Sequence, residues 1–362
     1  MNGKNPFAST AGIIFVGAII GVAAILLQKF GNPANMGICV ACFERDIAGG
    51  LGLHRAAIVQ YIRPEIIGFV LGSMAMALMA GEFRPRGGSA PIVRFVLGMV
   101  AAIGALVFLG CPWRTILRLA GGDGNALFGL AGLICGIAGG TLFFKRGYSL
   151  GSSTRQNPAA GWFFPLLMVG LLALYLAFPQ VSGQPQSGPL FYSVSGPGAS
   201  HAPFLLSFVV ALVIGALAQR SRFCTMGAFR DLILFRYAHL FLGVVAMFAA
   251  AIIANLLTGG FHPGFENQPV AHTDGLWNFL GMVTAGLAFA LAGGCPGRQL
   301  FMAGEGDSDA AIFALGMLAG AAMAHNLGTA SSATGIGVYG VQGTLIGLAV
   351  CLIIGFAFSR KA

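Results

Sequence analysis

The sequence predicts an all-α polytopic membrane protein, and three observations carry that prediction. Of the 362 residues, 57% are hydrophobic and only 9% are charged, where a soluble domain carries about 25% charged residues. Mean hydropathy is +0.83. The apolar residues also fall in repeated runs long enough for the roughly 20-residue helix that crosses a bilayer. Such runs exclude an outer-membrane barrel, whose strands alternate apolar and polar positions.

About ten transmembrane helices are expected, near 9–29, 57–80, 91–110, 126–144, 160–179, 203–218, 237–258, 275–293, 309–327 and 338–358. The first run has the apolar character of a signal peptide. Its length, the lack of a small-x-small cleavage site and Lys29 directly after it favour a retained span. With alternate connections assigned to opposite sides, one side receives Lys4, Arg84, Arg86, Arg94, Lys145, Arg146, Arg155, Arg220, Arg222, Arg230, Arg236, Arg298, Arg360 and Lys361, the majority of the 20 basic residues. The positive-inside rule makes that side, and both termini, cytoplasmic. Residues 180–202 and 259–274 hold no Lys or Arg, so 180–202 is expected to be an extracytoplasmic linker. No basic run stands behind the net charge of +9, and nucleic acid is not an expected partner.

The remaining basic residues, Lys29, Arg45, Arg55, Arg63, Arg114 and Arg118, cluster around two short cysteine-bearing stretches. Both stretches recur about 185 residues later. Cys39-Val-Ala-Cys42-Phe-Glu-Arg45-Asp46 aligns with Cys224-Thr-Met-Gly-Ala-Phe-Arg230-Asp231, and Gly110-Cys111-Pro112-Trp113-Arg114 with Gly294-Cys295-Pro296-Gly297-Arg298. Residues 1–362 are therefore expected to form one membrane domain of two five-span repeats, 9–179 and 203–358, around the linker. An odd number of spans inverts the second copy relative to the first. Non-helical backbone survives at membrane depth only in protein or a wet cavity, so each repeat is expected to contribute two short re-entrant half-helices bearing the cysteines. The 56 glycines include pairs at small-xxx-small spacing, Gly17/Gly21, Gly68/Gly72, Gly132/Gly136 and Gly316/Gly320, which suit close helix crossings in lipid.

The chemistry-bearing candidates follow from the repeats. Proline after Cys111 and after Cys295 suits a first helical turn, which places each thiol at a helix N-terminus, where anions are attracted. Arg114 and Arg298 lie three residues on. Cys39 and Cys224 form the second duplicated pair. Arg45/Asp46 and Arg230/Asp231 are read as site support, the arginines with a part in attracting anions. Cys42 completes a Cys-x-x-Cys that in isolation reads as a redox pair, but its repeat counterpart is Gly227. Cys135 and Cys351 are expected to pack in spans. The six histidines show no ligand spacing and no nucleotide-binding fingerprint occurs, so neither metal nor cofactor is expected. No intramembrane carboxylate is expected to stand alone as a proton relay, since Asp46 and Asp231 adjoin arginines and Glu65 begins a span.

The motifs Asn35-Met-Gly-Ile-Cys39, Gly-Cys-Pro-x-Arg and Arg222-Phe-Cys-Thr-Met-Gly-Ala228 resemble those of the YeeE/YedE sulfur-transport family, over nearly the whole chain, and most closely its YedE branch assigned to selenium transport. That resemblance implies a bacterial inner-membrane importer of a sulfur- or selenium-containing oxyanion such as thiosulfate, hourglass-shaped, with Cys39, Cys111 and Cys295 conducting the ion and Cys224 as a further motif cysteine. It also implies a TusA-like cytoplasmic sulfur carrier as partner, and no enzyme activity. Cys42 departs from the thiosulfate branch and leaves the substrate open. The competing readings are a membrane thiol-disulfide oxidoreductase using Cys39/Cys42 and a module that senses the ion without moving it.

Overall fold

The computed structural model describes residues 5–359, and helices account for most of them. In chain order the first half holds α1 (Thr10–Lys29), α2 (Val40–Gly50), α3 (Pro64–Met79), α4 (Pro91–Phe108), α5 (Pro112–Ala120), α6 (Asn125–Lys145) and α7 (Pro158–Ala177). The second half holds α8 (Phe204–Ser221), α9 (Thr225–Phe235), α10 (His239–Thr258), α11 (Gly275–Ala292), α12 (Pro296–Gly304), α13 (Ser308–Asn326) and α14 (Gly340–Ala357). The order long, short, long, long, short, long, long thus occurs twice. Among the described residues, 9 helical segments are apolar and long enough to cross a membrane, and α3 is a shorter apolar helix. The chain is a multi-pass membrane protein. Lys4, Arg360 and Lys361, part of the charge asymmetry read from the sequence, lie outside the described residues.

Helix starts are chemically marked. Proline occupies the first position of α3, α4, α5, α7 and α12, where its missing N–H would have been unpaired anyway. Ser9, Asn157, Asp274 and Asp307 cap α1, α7, α11 and α13 with side-chain oxygens. One expected span departs from the sequence reading. Residues 57–63 are not helical, and the 16-residue α3 begins only at Pro64. The residue before a proline is pushed out of the helical region, and Arg63, at φ −77° and ψ 110°, obeys this while its guanidinium is committed to Asp46.

The long helices find their main partners in the opposite half of the chain: α1 lies on α10, α3 on α8, α4 on α13 and α6 on α11, with α4 and α11 in contact at the centre. Lipid tails provide no hydrophobic force between helices, so close backbone approach holds such crossings together. The glycine pairs sit at them. A Cβ on Gly17 would overlap the Gly243 carbonyl oxygen, one on Gly72 that of Leu212, one on Gly132 that of Phe279 and one on Gly316 that of Phe95. The outermost helices break the reciprocity, α7 lying on α3, α12 and α13 whereas its counterpart α14 lies on α4 and α11. Two short strand pairings occur, Arg86–Gly87 with Thr154–Arg155 and Gln186–Ser187 with Leu190–Phe191, the second within the linker.

Backbone-contacting glycines are expected to be intolerant of even a methyl group. Gly72→Ala should destabilise the detergent-solubilised protein by about 1–3 kcal/mol, the usual cost of overpacking. Gly139→Ala, whose Cβ would meet only Leu287 at 3.8 Å, should stay within about 0.5 kcal/mol of wild type. Thermal melts of the two variants against wild type check the pair.

Candidate functional site

Each of the four short helices is N-capped by a cysteine: Cys39 on α2, Cys111 on α5, Cys224 on α9 and Cys295 on α12. The chain turns onto each cap in the same way. Two residues before every cysteine the backbone is left-handed, with φ of 55° at Gly37, 65° at Leu109, 57° at Arg222 and 88° at Gly293. A side chain in that conformation costs about 1–2 kcal/mol, yet two of the four positions are not glycine. Leu109 is held by its carbonyl, which accepts a hydrogen bond from Arg114 Nη1. Arg222 is held by its guanidinium, which bridges Glu305 at 2.7 Å and Glu82 at 2.9 Å.

The caps come together in pairs. Cys42 N–H donates to Cys39 Sγ at 3.4 Å, and Gly227 N–H donates to Cys224 Sγ at 3.2 Å. In the second half the Cys224 and Cys295 sulfurs are 3.8 Å apart, and the Thr225 and Arg298 amides also face Cys295. In the first half Cys39 and Cys111 are neighbours in the same manner, with the Ala41 and Arg114 amides toward Cys111. Each pair therefore joins two helix N-termini, whose unpaired N–H groups and dipoles favour a negative charge. Cys42 adds a third thiol to the first pair, with Arg114 Nη1 3.3 Å from its sulfur.

Trp113, two residues after Cys111, reaches the equivalent residue after Cys295. Its indole lies 3.1 Å from where a Cβ on Gly297 would stand, so the two Gly-Cys-Pro stretches meet face to face. Around the indole, Phe69, Phe223 and Phe301 close an aromatic layer, each with its ring centroid 5.9 Å away. The four cysteines and these aromatics are all buried. Within this apolar region Trp113 Nε1 and Thr225 Oγ1 have no hydrogen-bond partner. Such groups cost about 1–3 kcal/mol each when left unpaired, and both are able to donate to an acceptor.

The charged candidates divide. Arg45 and Asp46 are fully buried and paired at 2.7 Å, and Arg63 joins Asp46 at 2.7 Å while donating to the Pro197 and Ser200 carbonyls of the linker. Arg230 and Asp231 pair at 2.8 Å but are 33% and 16% exposed. Arg114 donates to the Asn35, Leu109 and Val270 carbonyls, which makes it a brace for the first cysteine pair. Arg298 pairs with Glu305 at 3.1 Å, and Glu305 also meets Arg222. Several of these partners escaped the sequence reading. Trp113 stood inside the Gly-Cys-Pro stretch without its counterpart having an aromatic ring, Arg63 stood outside any motif, and Glu44 stood beside Arg45 with nothing to separate it from a surface charge. The expectation that no intramembrane carboxylate stands alone is overturned by Glu44, which is buried with Oε2 unpartnered.

Residues 220–357, which include Cys224 and Cys295, match the protein-family model described as Sulphur transport. The second half of the chain is thus similar to the sulphur-transport family. Over 107 residues it is 32% identical to the thiosulfate transporter TsuA of Spirochaeta thermophila, a stretch that makes up 30% of this chain and 32% of that relative. The match thus spans about a third of the relative's length. The family is the point of contact, with no preference for its selenium branch.

The two Arg-Asp pairs, alike in sequence, are expected to differ in weight. Asp46→Asn leaves two buried arginines without their shared carboxylate and should cost about 3–5 kcal/mol. Asp231→Asn breaks a partly exposed pair and should cost no more than about 1 kcal/mol. Thermal stability in detergent distinguishes them, and equal effects would contradict the burial described.

Proposed function

We propose that this protein imports a sulfur-containing oxyanion, with thiosulfate as the first substrate to test and a selenium oxyanion as the second, through the centre where the four cysteine-capped helix ends converge. The convergence of those ends on two thiol pairs, separated by the aromatic layer around Trp113, carries the reading. Amides of the helix ends suit the oxyanion oxygens. Thiols, soft and weak donors, suit a polarizable terminal sulfur or selenium. Several weak sites in series let an ion pass where a single strong one would hold it. No bond to sulfur needs to form or break in such a passage.

The repeat order supports two halves that are inverted copies, so that Cys39 and Cys111 serve one side of the membrane and Cys224 and Cys295 the other. With both termini in the cytoplasm of a bacterial cell, the mouth near Cys224 faces inward, where Arg86, Arg222 and Arg298 crowd Glu305. A TusA-like carrier that consumes the ion would meet it there. Moving a divalent anion inward opposes an inside-negative potential by about 2.3 kcal/mol per charge for each 100 mV. Uptake must therefore be pulled by consumption or paired with a cation.

Vesicle flux tests the reading. Wild-type protein in proteoliposomes should admit labelled thiosulfate. Cys111→Ala and Cys295→Ala should each lower the initial rate at least about tenfold, a loss of roughly 1.4 kcal/mol of transition-state stabilisation. Cys42→Ser, outside the duplicated frame, should keep most of the rate. Unimpaired flux in the Cys111 and Cys295 variants would defeat the thiol route. Loss of activity on Cys42→Ser together with a reversible Cys39–Cys42 disulfide would instead favour the oxidoreductase.

A further inference from the structure

The helix capped by Cys39 carries a carboxyl that no ion pair uses. Glu44 is 4% exposed, and its Oε2 has no hydrogen-bond donor. It borders a cavity of about 300 Å³ between α2, α3, α7 and α13, whose other walls include Ile47, Ile66, Phe164, Met168 and Leu315. Across that space stands Gly170 of α7, where a Cβ would meet nothing within 4 Å. The pocket has room for the carboxyl to change position.

The neighbouring elements supply no counter-charge. On α2 itself Arg45 and Asp46 are committed to each other and to Arg63. On α3 the other buried carboxyl, Glu65, is turned to Asn32 Nδ2 at 2.7 Å. The parts of α7 and α13 that line the cavity are apolar. Beyond the end of α2, His54 is bonded to the Arg45 carbonyl and stacked on His325. Arg298 of α12 is paired with Glu305, and Arg94 of α4 is bonded to Ser89. A lone carboxylate at membrane depth is not sustained without a cation, and a proton is the cation that fits a site walled by hydrocarbon.

We propose that Glu44 binds a proton that crosses with the anion, so that the transport proposed above is an anion–proton symport. The two ligands share one short rigid helix: the anion meets the Cys39 cap at its start, and the proton sits just over one turn further along. A change in the seating of α2 against α7 and α13 moves both. Each proton bound at Glu44 reduces the inward negative charge of a divalent anion by one, with no redox step and no co-reactant.

The inference rests on the transport reading, and one experiment separates their failures. Proteoliposomes are offered labelled thiosulfate with and without a pH gradient, acid outside, while an internal dye reports proton entry. For wild type, accumulation should rise about tenfold per coupled proton for each pH unit, and thiosulfate should bring protons with it. Glu44→Gln should abolish both the gradient response and the proton signal. Gly170→Leu keeps the carboxyl and fills the cavity, and should weaken the response several-fold; it decides the matter if Glu44→Gln does not fold. Wild-type uptake indifferent to the gradient, or a response intact in both variants, overturns the proton site while leaving transport standing. No thiosulfate entry in wild type overturns the transport reading and the symport with it.

Discussion

The structure depends on the problem of ending a helix inside a membrane. The first turn of every helix leaves backbone N–H groups unpaired, and hydrocarbon offers them nothing. Here four helices begin in the interior, and a cysteine sulfur stands at the start of each. Cys39 and Cys224 accept the Cys42 and Gly227 amides, and because sulfur is a weak acceptor the helix starts stay open to the anion proposed above. A serine in the same place would cap more strongly and leave less for the proposed ion to bind. The thiol closes the end without occupying it.

Everything around the four ends serves to hold them there. Left-handed turns, two of them at non-glycine residues, aim the chain at each cap; buried Arg114 holds the one at Leu109, and Arg222 holds its own through Glu82 and Glu305. Arg114 braces the loop before Cys39 as well as the end of α4. Arg118 does similar work for the end of α5, bonded to Asp123 at 2.6 Å and to the Phe108 carbonyl at 2.8 Å. The crossing of each half's helices with those of the other half fixes the cysteine pairs relative to one another. Mobile loops would not keep thiols and amides in register.

The sequence disclosed the frame of this arrangement and concealed its support. Long apolar runs, the cysteine repeat and proline after Cys111 and Cys295 pointed to spans and short capped helices, because each has a local chemical signature. The helix start at Pro64 was hidden by continuous hydropathy through Tyr61 and Ile62, although the proline was a signal for it. Left-handed Leu109 and Arg222 carry no glycine to announce them. Arg45/Asp46 and Arg230/Asp231 looked equivalent because burial is a property of the folded surroundings; Arg63 and the linker enclose the first pair, while the second stays near the surface. Glu44 was unreadable for the same reason: a carboxyl beside an arginine looks paired until the arginine is seen to face Asp46.

The central claim is that all four caps lie on one ion route. Its most direct test is protection of the thiols in membranes by thiosulfate, with a permeant alkylating agent and mass-spectrometric mapping of each cysteine over time. Thiosulfate should slow modification of Cys39, Cys111, Cys224 and Cys295 together, and leave unchanged the rates at buried Cys351 and at Cys135, which is exposed where the sequence reading expected it to pack. Protection of only one pair, or equal slowing at all sites, would contradict a single route through the four helix ends.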